Sequence, residues 1–284
     1  MNFLPNYITT MSLWLRNTIV LLVILCCIMQ TACNVTSRGI GKAYRQMNAA
    51  DKKLADSILL YSLDHEALYT LCDTLKPMSS VKFYQVPVFS ASKEQKDSAI
   101  KAISQIQSVV NRLSLGDYQF VLNPFARRDS IYRNMEIYVF RKSRLQSIIR
   151  RQQDFYSQFG ITENTMPATV LAVTEYENKY DRWRSYGYLF GYPDYAVDFF
   201  VDAGKSQDST KEFVKRDFFQ VPVYVGTQGH FTYAVPKGYS PVAADSALLN
   251  QAVKTLEKYK VIRKRFETTS GIKAIKLWKN WNEK

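Results

Sequence analysis

Trp183-Arg-Ser-Tyr-Gly-Tyr-Leu-Phe-Gly-Tyr-Pro-Asp-Tyr-Ala-Val-Asp-Phe-Phe-Val-Asp-Ala-Gly204 is the densest stretch of the chain, and ten aromatic residues fall between Tyr176 and Phe200. Gly187, Gly191 and Pro193 punctuate it, which reads as loop followed by helix. Pro193 suits a first helical position, where its missing N–H costs nothing, and Asp194 complements the positive helix end. The helix is expected to run to about Ala203, with Gly204 as its stop. Ala196, Val197, Phe199, Phe200 and Val201 cover most of its circumference. Asp194, Asp198 and Asp202 recur every four residues and make one narrow acidic stripe.

Working toward the N-terminus, residues 143–158 read as a helix with Leu145, Ile148, Ile149 and Phe155 inward, ended by Gly160. Residues 169–180 read as helix or strand, leaning to helix. Tyr118–Leu122 and Met135–Phe140 look like strands joined by the basic turn 126–130. Residues 93–113 form an amphipathic helix on Ala99, Ile103, Ile106, Val110 and Leu113, stopped by Gly116. Val81–Phe89 is a β-like run whose Pro87 assigns it to a sheet edge or a bulge. Residues 41–75 read as helical, with Asp64 capping a second short helix, Cys72 on its apolar face and Pro77 ending it. Toward the C-terminus, Phe218–Val225 is a strand, 226–229 a hairpin turn and 230–235 its partner. A long helix over 243–266 and a shorter one over 272–281 follow. The shorter one carries Lys273, Lys276 and Lys279 beside Leu277, Trp278 and Trp281.

Phe83–Phe89 and Phe218–Tyr224 share five identities in seven residues, and the two mismatches exchange Tyr and Phe. Helices opening with Asp97-Ser-Ala-Ile100 and Asp245-Ser-Ala-Leu248 come after them. The expected fold class is therefore α+β: short antiparallel sheet segments packed with helices, with the matched strand–helix units hinting at two related halves, 41–160 and 161–284.

The 284 residues carry a formal net charge of +13, enough to consider nucleic acid or an anionic surface as partner. The basic residues are spread along the chain, with no Arg-Gly segment and no zinc pattern, so nucleic acid is not the expected partner. There are four cysteines, and Cys26, Cys27 and Cys33 lie at the N-terminus. If that region is removed, Cys72 alone remains and no internal disulfide can form. One thiol and two histidines leave no basis for a zinc site, and no motif asks for a cofactor.

Residues 18–29 form an apolar run of twelve, short of the roughly 20 needed to span a bilayer but suited to the core of a signal peptide. Arg16 precedes it, and a start at Met11 gives the usual compact proportions. After it comes Gln30-Thr31-Ala32-Cys33. A small residue directly before a cysteine at this place resembles the cleavage site of bacterial lipoproteins, although Gln30 stands where that family usually has Leu. The resemblance covers residues 11–33 only. It implies that residues 1–33 are a signal segment and that Cys33 is the lipidated residue. Residues 34–40 would then be a tether, with the protein held at the cell envelope by lipid and facing the periplasm or the cell surface.

Chemistry is harder to read. There is no Gly-x-Ser-x-Gly elbow, P-loop or His-Glu-x-x-His, and nothing in the sequence activates Cys72 toward His65 or His230. The expected role is non-enzymatic binding of a ligand or another envelope component, either a protein or a glycan. The candidate recognition residues are Tyr186, Tyr188, Tyr192 and Tyr195, set around the glycines and proline, while Trp183, Phe199 and Phe200 anchor the stretch in the core. The alternative is a hydrolase using carboxylates of residues 175–204, with Glu175, Asp194 and Asp198 as catalytic candidates.

Overall fold

The computed structural model describes residues 43–114, 116–269 and 271–282, with the backbone alone for 227–230. The signal segment, Cys33 and the tether lie outside these residues. The fold is α+β. Strands β1 (Met78–Pro87), β2 (Tyr118–Pro124) and β3 (Tyr132–Arg141) make an antiparallel sheet in the order β1-β3-β2. Helices α1 (Ala49–Asp64) and α2 (Leu68–Leu71) precede it, and α3 (Lys93–Leu113) joins β1 to β2. Next come α4 (Lys142–Arg151), α5 (Gln153–Ser157), α6 (Pro167–Tyr176), α7 (Lys179–Leu189) and α8 (Asp194–Thr210). The hairpin of β4 (Arg216–Val223) and β5 (Gly226–Pro236) leads to α9 (Ala243–Arg265), the two-residue strands β6 (Glu267–Thr268) and β7 (Gly271–Ile272), and α10 (Ala274–Asn282).

Strand β3 is central, and Ile137–Phe140 are buried without a break. Successive side chains of a strand point to opposite faces. Ile137 and Val139 enter a large core with α1, α3, α9 and α10, in which Ile58, Leu59, Leu63 and Trp278 are fully buried. Tyr138 and Phe140 enter a second core with Leu145, Ile148, Tyr156, Leu171, Leu189 and Val197. The packing does not divide at residue 160. The large core draws on both sides of it, and so does the second.

The matched strands have matched exposure. Phe83 and Phe218 are exposed, Tyr84 and Phe219 half-buried, Gln85 and Gln220 exposed, and Val86 and Val221 buried. Pro87 ends an edge strand, as its missing donor requires. Both α3 and α9 pack back on the strand of their unit. Connectivity differs, because β1 pairs with a strand after its helix and β4 with one before. The likeness stops there.

Several local expectations are corrected. The hairpin turn is Tyr224–Val225, and Gly226 already pairs with Val223. The helix expected over 143–158 breaks at Gln152. Asp64 does not cap α2. It lies buried and receives Tyr259 Oη at 2.6 Å and Arg263 through Nε at 2.8 Å and Nη2 at 3.1 Å, tying α9 to α1. Asp73 does similar work with Gln251 and Thr255 of α9.

Asp245, fully buried in the first turn of α9, is the most heavily bonded carboxylate among the described residues. Tyr195 of α8, Tyr233 of β5 and Tyr239 all donate their hydroxyls to it, and Val242 N–H donates at 2.8 Å. Burial opposes its charge, but the hydroxyl donors outweigh burial and hold the carboxyl below its usual range. The phenols of Tyr195 and Tyr233 are pushed up, by burial first and then by Asp245. A carboxyl depressed in the folded state stabilises above its unfolded value of about 3.9, and that contribution is lost as pH falls through the lower folded value. A raised phenol works the other way, and its contribution is lost as pH rises past about 10. Asp245→Asn should cost at least about 2 kcal/mol at neutral pH, since it weakens three hydrogen bonds to a charge. Denaturant melts from acid to neutral pH should also show a shallower loss of stability below about pH 4 in the variant than in the natural chain.

Candidate functional site

The stretch 176–204 is an antiparallel helix pair, α7 and α8, and not a loop followed by a helix. Asn178 caps α7 by accepting from Asp181 N–H at 3.2 Å. Helix α7 ends in a Schellman motif: Gly191 N–H donates to the Tyr188 carbonyl at 3.0 Å and Tyr192 N–H to the Gly187 carbonyl at 3.0 Å. That motif needs a left-handed residue, and Gly191 has φ of +76°. The other two glycines serve packing. A Cβ on Gly187 would sit 2.7 Å from Val197 Cγ2, and one on Gly204 would strike the Trp183 ring. Gly204 therefore does not stop α8, which continues to Thr210. It lets α8 approach α7 closely.

Together with the β4–β5 hairpin, the helix pair encloses a pocket of about 300 Å³, at the small end of the usual range for ligand sites. Helix α7 supplies Trp183, Tyr186 and Gly187, and the turn after it supplies Phe190 and Tyr192. Helix α8 supplies Ala196, Val197 and Phe200. The hairpin supplies Phe218, Thr232, Tyr233 and Ala234. The lining is almost wholly apolar. Thr232 Oγ1 is buried there with no hydrogen-bond partner among the described residues.

The back of the pocket is a run of aromatic contacts. Tyr186 stacks on Phe190 with centroids 5.7 Å apart, Phe190 meets Tyr192 at 5.8 Å, and Tyr192 meets Phe231 at 6.2 Å and Tyr233 at 5.7 Å. Behind these rings lies Lys76, with no exposed surface. Its Nζ donates to Glu66 Oε2 at 2.5 Å and sits 4.3 Å from the Phe231 centroid, 5.2 Å from Phe190 and 5.8 Å from Tyr192. Burial lowers the Lys76 pKa, and the Glu66 carboxylate opposes that shift. Negative ring faces are well placed to compensate a buried ammonium. At the front, Phe218 is 56% exposed and Arg216 lies 5.7 Å from the Phe200 ring.

The four candidate tyrosines fall in different places. Tyr186 and Tyr192 line the pocket. Tyr186 also donates its hydroxyl to Glu175. Tyr188 does not line the pocket. It is 5% exposed, edge-on to Phe155 at 5.6 Å, with its hydroxyl taking a bond from Arg184. Its position on α7, one residue after Gly187, turns it into the second core. Tyr195 belongs to the Asp245 node, stacked on Tyr239 at 5.7 Å. Conversely, Trp183 and Phe200, expected as core anchors, are half-buried and form a pocket wall, 5.1 Å apart. The hairpin residues carry no local signal of the pocket, because nothing in the local sequence brings β5 beside α7.

None of the three candidate catalytic carboxylates lines the pocket. Glu175 is buried and accepts from Ala126 N–H at 2.9 Å as well as from Tyr186. Asp194 is exposed and accepts from Arg151 at 3.0 Å and Gln152 at 3.1 Å. Asp198, also exposed, pairs with Arg184. Each is engaged with partners of its own, away from the pocket lining. Among the described residues, no group of three or more His, Cys, Asp or Glu is placed to hold a metal ion. Cys72 is a partly buried free thiol, whose pKa burial pushes up.

Comparison with family models, with curated proteins and with solved structures finds no match.

Gly204→Ala should test the close approach of α7 and α8. An added methyl gains up to about 1 kcal/mol in helix propensity but meets a fixed indole, and overpacking of this kind costs about 1–3 kcal/mol. A net fall in stability by denaturant unfolding is expected, together with a changed Trp183 environment in near-ultraviolet circular dichroism.

Proposed function

We propose that the protein is a lipid-anchored envelope lipoprotein that acts without catalysis, binding a small apolar or aromatic group in the pocket between α7, α8 and the β4–β5 hairpin. The observation that carries this is the pocket lining. It offers the ring faces of Trp183, Tyr186, Phe190, Tyr192, Phe200 and Phe218, and one unpartnered hydroxyl, Thr232. Among the described side chains it offers no carboxylate, imidazole or thiol. A glycan would ask for polar partners beside the stacking rings, so the apolar lining favours an aromatic or aliphatic group. The envelope location is supported by the run 18–29 followed by Ala32-Cys33. Among the described residues no helix is long and apolar enough to cross a membrane. The proposed anchor is the acyl chains of Cys33.

The pocket is tested with the fluorescent probe 8-anilinonaphthalene-1-sulfonate, whose apolar rings suit the lining. Phe218→Ala removes a ring that is already more than half exposed, so stability should change little. Loss of one aromatic contact should weaken probe binding by about five- to tenfold. Unchanged affinity in a folded variant would put the binding elsewhere.

The anchor is tested separately. The natural chain should incorporate labelled palmitate and stay with membranes after a high-salt wash, because two or more acyl chains anchor stably. Cys33→Ser should lose the label and be released. Retention of the unlabelled variant would refute lipid anchoring.

A further inference from the structure

We propose that the basic face formed by α9, α10 and the exposed side of α1 is a second membrane contact, which docks on the headgroups of anionic phospholipids. From Lys254 to Lys279 the chain holds nine basic and two acidic residues, more than half of the net +13. Spacings of four, three and four place Lys254, Lys258, Val261 and Arg265 on one exposed stripe of α9. Lys258 Nζ lies 4.2 Å from the Trp281 centroid, so the stripe borders α10. On α10, Leu277, Trp278 and Trp281 turn inward and leave Lys276 exposed, with Lys273 exposed just before the helix. Lys273 shares an open groove with Lys53 of α1.

The acids of this region are already engaged. Asp64 is held by Arg263, Glu267 by Arg263, Glu257 by Lys260, and Asp56 by Tyr44 and Ile275 N–H. By contrast, Lys254, Lys258, Lys264, Arg265, Lys273 and Lys276 make no ion pair among the described residues. The face therefore presents positive charge with little neutralisation, and it complements a layer of phosphates.

The chain itself says which surface is near. Tyr44 Oη donates to Asp56 Oδ2 at 2.6 Å, and Ile275 N–H donates to Asp56 Oδ1 at 3.2 Å. The first described residues thus lie beside the start of α10. Cys33 is eleven residues before Tyr44, a reach of at most about 40 Å. A lipid on Cys33 would hold this face within easy reach of the bilayer. That step rests on the anchoring proposed above. The remaining steps rest on charge alone, which acts within a Debye length of about 8 Å at physiological salt.

The test is amine footprinting of the purified full chain. The protein is placed in vesicles of phosphatidylcholine, with or without phosphatidylglycerol. Its lysines are acetylated with a soluble reagent, and the rate at each site is read by mass spectrometry. Lys258, Lys273 and Lys276 should react several-fold more slowly in the anionic vesicles. Their rates should recover at about 0.5 M salt, where the Debye length is only a few Å. Lys93 and Lys205, outside the face, should react alike in both. Lys273→Glu with Lys276→Glu, both surface changes, should abolish the protection of Lys258. Equal rates in the two vesicles, or protection spread evenly over all lysines, would overturn the proposal. So would protection given only by added duplex DNA or an acidic protein. The intact mass of the same sample reports acylation of Cys33 independently. An unacylated protein that still shows the protection would refute the anchor and leave the docking face standing.

Discussion

Strand β3 is the constraint on which the rest of the structure depends. A central strand flanked on both edges has no free backbone donors to spend on water, and here both of its faces are covered as well. Ile137 and Val139 look one way, Tyr138 and Phe140 the other. One residue of slip in register would exchange the two sets between the two cores. The antiparallel pairings on both sides, Ser79 to Val139 and Phe120 to Val139, hold that register. The α1–α3–α9–α10 layer and the α4–α8 layer are then two coats on one sheet.

Between those coats sits an ion pair that would be costly anywhere else. Burying an ammonium carries a penalty of several kcal/mol even after relaxation. Lys76 offsets it with a close carboxylate and three ring faces, and Glu66 uses its second oxygen to accept Ser80 N–H at 3.1 Å. The pair thereby fixes the segment between α2 and β1 against Phe190, Tyr192 and Phe231. The same rings are the back wall of the pocket or touch it. A wall held in place from behind is preorganised, and a ligand stacking on it would not have to order it.

The fold class was legible because its signals are local. The three- and four-residue spacings in 93–113 and 243–266 and the valines and aromatics before Pro87 need no knowledge of the rest of the chain. Gly116 and Gly160 both have positive φ, but they follow helix ends already set at Leu113 and Ser157. Gly187 and Gly204 misled because a glycine that breaks a helix and one that lets a second helix approach look the same in sequence. Only Trp183 and Val197, brought across from the partner helix, tell them apart. Lys76 carries no local signal of its burial, since its partner and its rings come from residues 66, 190, 192 and 231. The pocket was half legible. The aromatic stretch pointed to Tyr186 and Tyr192, while Phe218, Thr232 and Tyr233 arrive only by tertiary packing.

Asp245 links the pocket to the basic face. Its three tyrosine donors come from α8, from β5 and from the loop before α9, and the carboxylate itself belongs to α9. Helix α8 and β5 are walls of the pocket. Helix α9 carries the stripe of Lys254, Lys258 and Arg265. Asp64 and Asp73 then fasten α9 to α1 and α2, the elements nearest the N-terminal segment. Each joint is a buried or half-buried charge with several fixed donors, and such joints do not slide by small amounts. A pocket and a surface joined in this way keep one orientation relative to each other. If the basic face lies on a bilayer, the mouth of the pocket has a fixed direction from it, set by the fold and not by the tether.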